Sequence, residues 1–173
     1  PECIHLAIPH NQLAPNLARQ GNRMYPMLAP DVTLTVHNME NPVIGGYTPE
    51  KVALRRALTL ATNTDQEIRL IRKGQAIPAE SPLPPNTTGF DPAFRGEGYD
   101  PKKARALLDT YGYVDRDGDG WREQPDGSPL VITISTQPDQ ASRRLDELQR
   151  KDYSEIGIKV EFKQAKWPEN LRN

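Results

Sequence analysis

The sequence has little of what several classes of protein depend on. Its one cysteine, Cys3, excludes an internal disulfide and a zinc site built from cysteines. Lys and Arg number 22 against 23 Asp and Glu, so no excess positive charge points to nucleic acid as a partner. No apolar run approaches the length of about 18 residues that a transmembrane helix needs. Nucleic-acid-binding and membrane-spanning proteins are therefore poor matches to this sequence.

Recognisable catalytic motifs are also missing. The sequence holds no Gly-x-Ser-x-Gly, no phosphate-binding glycine loop and no His-Glu-x-x-His. The three histidines, His5, His10 and His37, lack the spacing that metal-ligating histidines have on a helix. We therefore predict that the chain is not an enzyme. A hydrolase is the weakest alternative, because no nucleophile–base pair is evident.

Proline is the residue in excess, with 17 in 173 positions, about twice the usual share. Residues 1–30, which are rich in proline, are predicted to be an extended or partly helical lead-in. Residues 75–99 hold five more prolines and have no periodic pattern. They are predicted to form a long loop, and loops of that length are usually functional or flexible.

The first half of the chain is predicted to hold a strand and two helices. Val32, Leu34 and Val36 alternate with polar residues, which predicts a half-buried strand. Thr48-Pro49-Glu50 predicts a helix start, and an apolar stripe at helical spacing follows it to Ala61. A further helix is predicted from Thr64, which would form a capping box with the acid three residues later.

The second half predicts an α/β fold. Asp100-Pro101 begins a helix whose apolar stripe runs to Tyr111. Residues 130–163 have a strand–helix–strand pattern, which implies a parallel crossover. The first strand begins with the apolar run Leu130–Ile134, which predicts that both of its faces are covered. Trp167 is predicted to begin one more helix.

The most specific local motif is an Asp-rich turn at residues 115–126. Asp115, Asp117 and Asp119 stand at positions 1, 3 and 5 of a calcium-loop pattern, with a glycine at position 6. Trp121 and Asp126 are the further candidate ligands, although the twelfth position normally carries Glu. One interpretation is a structural turn in which the Asp side chains bind backbone amides. The other is a small calcium-binding α/β module.

An ordered series of short motifs runs through the chain. They are Asn38-Met39, Leu54-Arg55-Arg56-Ala57-Leu58 with Ala61, Gly74–Ala79, Tyr99-Asp100-Pro101 with Leu107, Leu108, Gly112 and Tyr113, the turn at 115–120, Gly157–Val160 and Trp167. Together they resemble the family 5 extracellular solute-binding proteins, the peptide-, dipeptide- and nickel-binding receptors of bacterial ABC importers. The resemblance covers about residues 30–173 and is loose over residues 1–30.

This resemblance implies one lobe of a two-lobed, type II periplasmic-binding-protein fold, with helices packed on a small mixed sheet. Residues 31–173 would be most of the C-terminal lobe. Such a receptor captures a small solute, most often a peptide, between two lobes and delivers it to a membrane permease. The implied partners are the solute, the permease and the protein's own N-terminal lobe. The implied location is the periplasm after export, with the signal peptide outside this chain. No cofactor is required, and calcium is the open alternative.

The resemblance also leads to candidate ligand-binding residues. We predict that Asn38, Met39 and the 75–99 loop face the cleft, because they lie at the ends of elements. Tyr47 is a candidate ligand platform, with the anchoring of its turn to the core as the alternative. Arg55 and Arg56 flank the apolar stripe of a helix, so they are predicted to form its solvated edge, with a role in facing a ligand or partner as the alternative. A single lobe is expected to bind its solute poorly, because half of the contacts are missing.

Overall fold

The computed structural model describes residues 14–21, 23 and 27–170, so Cys3, His5 and His10 lie outside the described residues. In chain order the elements of the described part are α1 (Ala14–Arg19), α2 (Pro49–Ala61), α3 (Thr64–Leu70), α4 (Pro101–Thr110), β1 (Val131–Thr136), α5 (Gln140–Glu155), β2 (Lys159–Gln164) and α6 (Trp167–Asn170). Helix α1 lies inside the predicted lead-in. The division of the chain at residue 30 stays a prediction.

The two strands pair in parallel, with Val131 opposite Lys159 and Thr136 opposite Gln164, and α5 connects them. The predicted parallel unit at 130–163 is therefore confirmed. Within the described residues the sheet holds these two strands alone and is parallel, not mixed.

Only one face of β1 is covered, so the prediction of a strand buried on both faces was wrong. Ile132 is buried, whereas Thr133 and Ser135 are exposed. A parallel strand is buried on both faces only when elements pack on both sides of its sheet. No described element covers the side that carries Thr133 and Ser135.

The hydrophobic core lies between α2, α4 and the strand–helix–strand unit. The buried cluster comprises Ile44, Leu54, Ala57, Leu58, Leu60, Ala61, Ala104, Leu108, Tyr113, Leu130, Ile132, Tyr153, Ile156, Ile158 and Val160. The stripe predicted on α2 is buried, and its alanines let α4 approach closely. Tyr111 was predicted to continue the apolar stripe of α4, but it is exposed. The helix ends at Thr110, so Tyr111 no longer lies on the helix face that packs against the core.

Helices α2, α3 and α4 begin within one residue of the predicted starts, but only one of the three predicted side-chain caps is found, and Thr48 makes no side-chain cap hydrogen bond at the start of α2. Asp100 caps α4, and its Oδ1 accepts a hydrogen bond from the backbone N–H of Lys103 at 2.9 Å. In α3 the cap is Asn63 rather than the predicted Thr64, and its Oδ1 accepts from the N–H of Gln66 at 2.9 Å. Asn is at least as good a cap as Thr, so Asn63 takes the cap position and Thr64 becomes the first residue of the helix.

The strand predicted at 32–36 does not form. From Asp31 to Asn38 the backbone has no helix, strand or turn, and residues 31–37 have no backbone hydrogen bond with any described residue. Leu34 is 56 % and Val36 is 79 % exposed. An alternating pattern becomes a strand only where a neighbouring strand supplies hydrogen bonds and an apolar surface. The described part of the chain supplies neither.

None of the helices in the described ranges combines the length and the apolar character needed to cross a bilayer.

Candidate functional site

Three predicted ligand residues, Asn38, Met39 and Tyr47, lie on one folded segment before α2, which we call the Asn38 turn (residues 38–47). The carbonyl of Met39 accepts a hydrogen bond from the N–H of Gly46 at 2.9 Å, so the two ends of the turn are tied together. The structure therefore brings these three residues onto one turn. Their role as ligand contacts stays a prediction.

The Asn38 turn is closed around Gly45, which is buried. A Cβ atom at Gly45 would lie 2.3 Å from the carbonyl oxygen of Met39 and 2.6 Å from that of Asn41. The side-chain oxygen of Asn41 accepts from the N–H groups of Val43 and Ile44 at 2.9 and 3.1 Å. Because backbone contacts this close leave no room for a side chain, only glycine fits at position 45 of this turn.

Two cations of α2 hold the Asn38 turn against the helix. Lys51 Nζ donates to the carbonyls of Pro42 and Val43 at 2.9 and 2.7 Å. Arg55 donates to the carbonyl of Ile44 at 2.6 Å and is half-buried, so it is not the solvated edge that the sequence predicted. Hydrogen bonds from charged donors are the stronger kind, and these fix the turn to a rigid element.

The ring of Tyr47 projects from this fixed turn. It is 83 % exposed, so it does not anchor the turn to the core, and that alternative was wrong. An aromatic side chain on a backbone that is held in place offers contact area at a low cost in conformational entropy. This is the arrangement that a ligand platform requires.

A separate open groove of about 550 Å³ lies beside α2. The groove is lined by residues 32–35 and His37, by Leu58 and Thr59 of α2, by Thr62 just after that helix, by Thr64 and Asp65 of α3, by parts of the loop at 78–82 and 96–99, and by Tyr153 of α5. Two parts of the 75–99 loop thus line a concave surface, whereas Asn38, Met39 and Tyr47 do not. That the loop faces a solute cleft stays a prediction. Burial and the nearby charge of Arg55 lower the pKa of His37, so its imidazole is neutral at pH 7.

One wall of the groove is held by an ion-pair network on Glu97. Arg56 donates to both carboxylate oxygens of Glu97, and Lys103 Nζ donates to one of them at 3.2 Å. The Arg56 hydrogen bond holds the pKa of Glu97 at about 2, so this carboxylate is charged at neutral pH. The groups are largely exposed, and such pairs contribute little net stability. Their effect is to keep the loop beside α2.

A buried carboxylate joins α5 to the junction of α2 and α3. Asp152 is 3 % exposed, and its Oδ2 accepts from the backbone N–H of Asn63 at 3.0 Å. Burial raises the pKa of Asp152, and the bond from Asn63 acts in the opposite direction. Beside it, the hydroxyls of Tyr153 and Thr62 lie 3.4 Å apart. The raised pKa means that the ionised form of Asp152 is penalised in the folded state.

We expect Asp152→Asn to be as stable as the wild type at pH 7, or more stable. The amide oxygen still accepts from Asn63, and the cost of burying a charge is removed. The pKa of Asp152 in the folded state lies above the unfolded value of 3.8. The wild type therefore regains stability as its buried carboxylate is protonated, and the difference in free energy of unfolding between the two proteins should shrink as the pH falls from the folded pKa to the unfolded one. Thermal unfolding between pH 3 and pH 8 measures this.

The control is Asp152→Ala, which removes the acceptor and should cost about 1–2 kcal/mol. An Asn variant that is clearly less stable than the wild type at pH 7 would show instead that the charge itself stabilises the fold.

The carboxylates of the Asp-rich turn do converge. Ligand atoms of Asp115, Asp117, Asp119 and Glu123 all lie within 4.8 Å of one another at the surface. Glu123 was missed from the sequence, although it stands at the ninth position of the calcium-loop pattern, where a ligand is common. This exposed acidic cluster has the oxygen ligands that a divalent cation could use.

Asp126, the candidate for the twelfth position, is not in that cluster. Its carboxylate accepts from the backbone N–H and the hydroxyl of Ser128 at 2.9 and 2.7 Å, and these bonds lower its pKa. The N–H of Gln124 donates to the carbonyl of Ser128 at 2.8 Å, so the chain reverses before the twelfth position is reached. No helix follows the loop to direct a residue at that position back toward the cluster.

The same carboxylates also hold the turn by themselves. Asp115 accepts from the N–H groups of Gly118 and Gly120 at 2.7 and 2.9 Å. Asp119 accepts from the N–H of Trp121 at 2.8 Å, and the Trp121 side chain is half-buried. These are the bonds that the structural-turn interpretation requires. The calcium interpretation stays a prediction.

The calcium hypothesis predicts that millimolar calcium raises Tm and that a chelator reverses the change. With a Kd of about 10⁻⁴ M, 1 mM calcium would stabilise the fold by about 1.4 kcal/mol. Glu123→Gln should remove most of this shift, whereas the matched variant Asp126→Asn should keep it because Asp126 lies outside the cluster. A Tm that calcium leaves unchanged would support the structural turn.

Comparison with known proteins links these features to one family. The model of the bacterial extracellular solute-binding proteins, family 5 Middle, matches residues 4–173. The family match therefore includes most of residues 1–30, a part of the chain in which the sequence motifs gave only a loose resemblance. Di/tripeptide-binding protein 2 from Pseudomonas aeruginosa (strain UCBPP-PA14) is 33 % identical over 121 residues, which are 69 % of this chain and 21 % of that protein. The chain spans about a fifth of the length of such curated relatives.

Solved structures show the same fold. The oligopeptide-binding protein AppA from Bacillus subtilis, in complex with a nonapeptide, matches with a TM-score of 0.69 and 22 % identity over 78 % of this chain and 26 % of that one. NikZ from Campylobacter jejuni, in complex with Ni(L-His), matches with a TM-score of 0.63 and 26 % identity over 75 % and 25 % of the two chains. The described mixture of helices and parallel strands is thus found within binding proteins of this type.

Proposed function

Because this chain belongs to the bacterial extracellular solute-binding proteins of family 5, we propose that it forms one lobe of the substrate-binding component of an ABC importer. The family is one of solute-binding proteins, not of enzymes. The match across residues 4–173 is the observation that carries this proposal. In the whole protein, a second lobe would close on the solute, and the complex would dock on a membrane permease. We propose the periplasm as the place where it acts, because a receptor that feeds an importer meets its solute outside the inner membrane.

The solute that we propose is a peptide. The Pseudomonas relative is named for di- and tripeptides, and the Bacillus structure contains a nonapeptide. The Campylobacter structure contains Ni(L-His), so the metal complex is the competing solute class. An extended peptide can be held mainly through its backbone, which permits many side chains at each position.

We place the Asn38 turn on the solute side of the lobe. The turn is fixed to α2 by Lys51 and Arg55, and it presents an exposed aromatic ring at Tyr47. Binding residues are commonly carried on loops that a rigid scaffold positions. Asn38 and Met39 lie on the same turn, and Asn38 is exposed.

Tyr47→Ala in the whole protein is expected to weaken solute binding about tenfold, which is the effect of losing roughly 1.4 kcal/mol of contact. The Tm of the unliganded protein should not change, because the ring packs against little of the protein. Isothermal titration calorimetry with a tripeptide measures the first effect and thermal unfolding the second.

Tyr111→Ala is the matched control, since Tyr111 is also an exposed tyrosine but lies at the end of α4. Equal loss of affinity in both variants, or no loss at Tyr47, would contradict the placement of the Asn38 turn.

The proposed function is tested by titrating the whole protein that carries these residues with dipeptides, tripeptides, longer peptides and Ni(L-His). We expect saturable binding of at least one peptide class with one solute per protein, and weak or no binding to residues 1–173 alone. Binding of Ni(L-His) without any peptide would correct the solute class. Binding of none of them would overturn the proposal.

A further inference from the structure

Lys51 contacts a third oxygen besides the two carbonyls of the Asn38 turn. Its Nζ donates to Oε1 of Gln124 at 3.1 Å, and the two residues are 73 positions apart in the sequence. An ammonium group has three N–H donors, and the carbonyls of Pro42 and Val43 accept from the other two. Lys51 is half-buried. Its side chain therefore joins the Asn38 turn to a distant part of the chain.

Gln124 lies on a hairpin that its own hydrogen bonds close. Glu123 and Pro129 form an antiparallel bridge, and we call residues 123–129 the Gln124 hairpin. The backbone N–H of Gln124 donates to the carbonyl of Ser128 at 2.8 Å, and its Nε2 donates to the hydroxyl of Ser128 at 2.7 Å. Because an amide side chain carries both an acceptor and donors, it can accept from the lysine while it donates within the hairpin. The hairpin thus fixes the oxygen that the lysine contacts.

We propose that Lys51 and Gln124 are positioning residues for solute binding, which together hold the Asn38 turn, and with it the ring of Tyr47, in the conformation that contacts the solute. This inference rests on the proposed function, because that function puts the Asn38 turn on the solute side. Neither residue has to touch the solute. A lysine side chain is flexible, and a fixed third partner restricts its ammonium to the position from which it reaches both carbonyls of the turn. Charged donors of this kind form the stronger hydrogen bonds.

The effect on affinity follows from the cost of ordering a turn. A solute that meets a turn already in its binding conformation has nothing to order. A turn with several conformations lowers the apparent affinity in proportion to the fraction that is competent to bind. Arg55 and the hydrogen bond between Gly46 and Met39 remain when Lys51 is changed. We therefore expect a partial loss of affinity, smaller than the loss from removing the Tyr47 ring.

Titration calorimetry of the whole protein with trialanine tests the proposal. Lys51→Met, which removes all three hydrogen bonds, should weaken binding about fivefold. Gln124→Leu, which removes the acceptor, should weaken it about threefold. The double variant should bind no more weakly than Lys51→Met alone, because the two side chains act through one contact. Gln124→Glu keeps an acceptor for Lys51 and should bind within about twofold of the wild type.

A double-mutant cycle with Tyr47→Ala separates positioning from a general loss of stability. If Lys51 acts through the ring, adding Lys51→Met to Tyr47→Ala should weaken binding by less than about twofold. In the unliganded protein, amides 38–47 should exchange with solvent faster in Lys51→Met and in Gln124→Leu than in the wild type. Lys102→Met is the matched control, since Lys102 is exposed on α4, and it should change neither the affinity nor the exchange.

The inference alone is overturned if the wild type binds trialanine and Lys51→Met keeps the same affinity. An undiminished effect of Lys51→Met in the Tyr47→Ala background, an equal loss from Lys102→Met, or unchanged exchange of amides 38–47 would also overturn it. A wild type that binds no peptide would overturn the proposed function, and the inference would fall with it.

Discussion

Gly45→Ala is expected to lower the free energy of unfolding by about 3 kcal/mol and to release the Asn38 turn. The new Cβ would lie 2.3 Å from the carbonyl oxygen of Met39 and 2.6 Å from that of Asn41. These are backbone atoms, so relief requires the turn to open. Opening would break the Gly46–Met39 hydrogen bond and the contact of Arg55 with Ile44.

The adjacent Gly46→Ala is the control for this substitution. Gly46 has a φ of +83°, and apart from the residue itself and its two chain neighbours no atom lies within 4 Å of an added Cβ. This variant should cost only the backbone strain, about 1 kcal/mol. Denaturant unfolding gives both values, and hydrogen exchange of the 38–47 amides locates the change. A Gly45 variant no less stable than the Gly46 variant would contradict the close packing of this turn.

Arg122→Met is expected to cost about 3 kcal/mol, which for a chain of this size is roughly 6–12 °C in Tm. Arg122 Nε donates to the carbonyl of Ile156 at 2.7 Å, and its guanidinium also donates to the carbonyl of Tyr113 and to the carboxylate of Asp109. The carbonyls of Ile156 and Tyr113 lie just beyond the C-terminal ends of α5 and α4, where backbone oxygens lack hydrogen-bond partners within the helix. The Arg122 side chain is only 12 % exposed, so water replaces these bonds poorly.

Arg116→Met supplies the comparison for Arg122. Arg116 also donates to three carbonyls, those of Gly112, Gln124 and Pro125, but it is exposed. Its loss should cost less than about 1 kcal/mol, because water can take its place. Thermal unfolding of both variants gives the difference. Similar shifts for the two arginines would mean that Arg122 does not join α4 to α5 as the contacts indicate.

The sequence was most informative where structure depends on residues close together in the chain. The apolar stripe of α2 and the cap at Asp100 follow from spacing over three or four residues, and both are found. The parallel pairing of β1 and β2 was also predictable, because a helix between two strands leaves few other connections.

The sequence was less informative where structure depends on distant partners. The strand predicted at 32–36 fails because pairing is decided by a neighbour that the local pattern cannot supply. Arg122 contacts Ile156, which is 34 positions away, and no motif marks that contact.

The candidate site was predicted only in part. Asn38 and Met39 were named from a family resemblance and Tyr47 as an aromatic residue beside a turn, and the structure places the three on one turn. What fixes that turn is Gly45 with Lys51 and Arg55, and their roles appear only when the backbone is seen in three dimensions. Similarly, the loop pattern gave Asp115, Asp117 and Asp119, but the reversal after Gln124 keeps Asp126 out of the cluster, and that reversal is seen only in three dimensions.

The most direct test of the solute-binding account is mass spectrometry of the small molecules released when the whole, freshly purified protein is denatured. The account predicts a peptide, or a narrow set of peptides, in amounts close to one per protein, with none released from residues 1–173 alone. A protein that releases no solute and binds none on titration, or that converts its ligand chemically, would contradict the account.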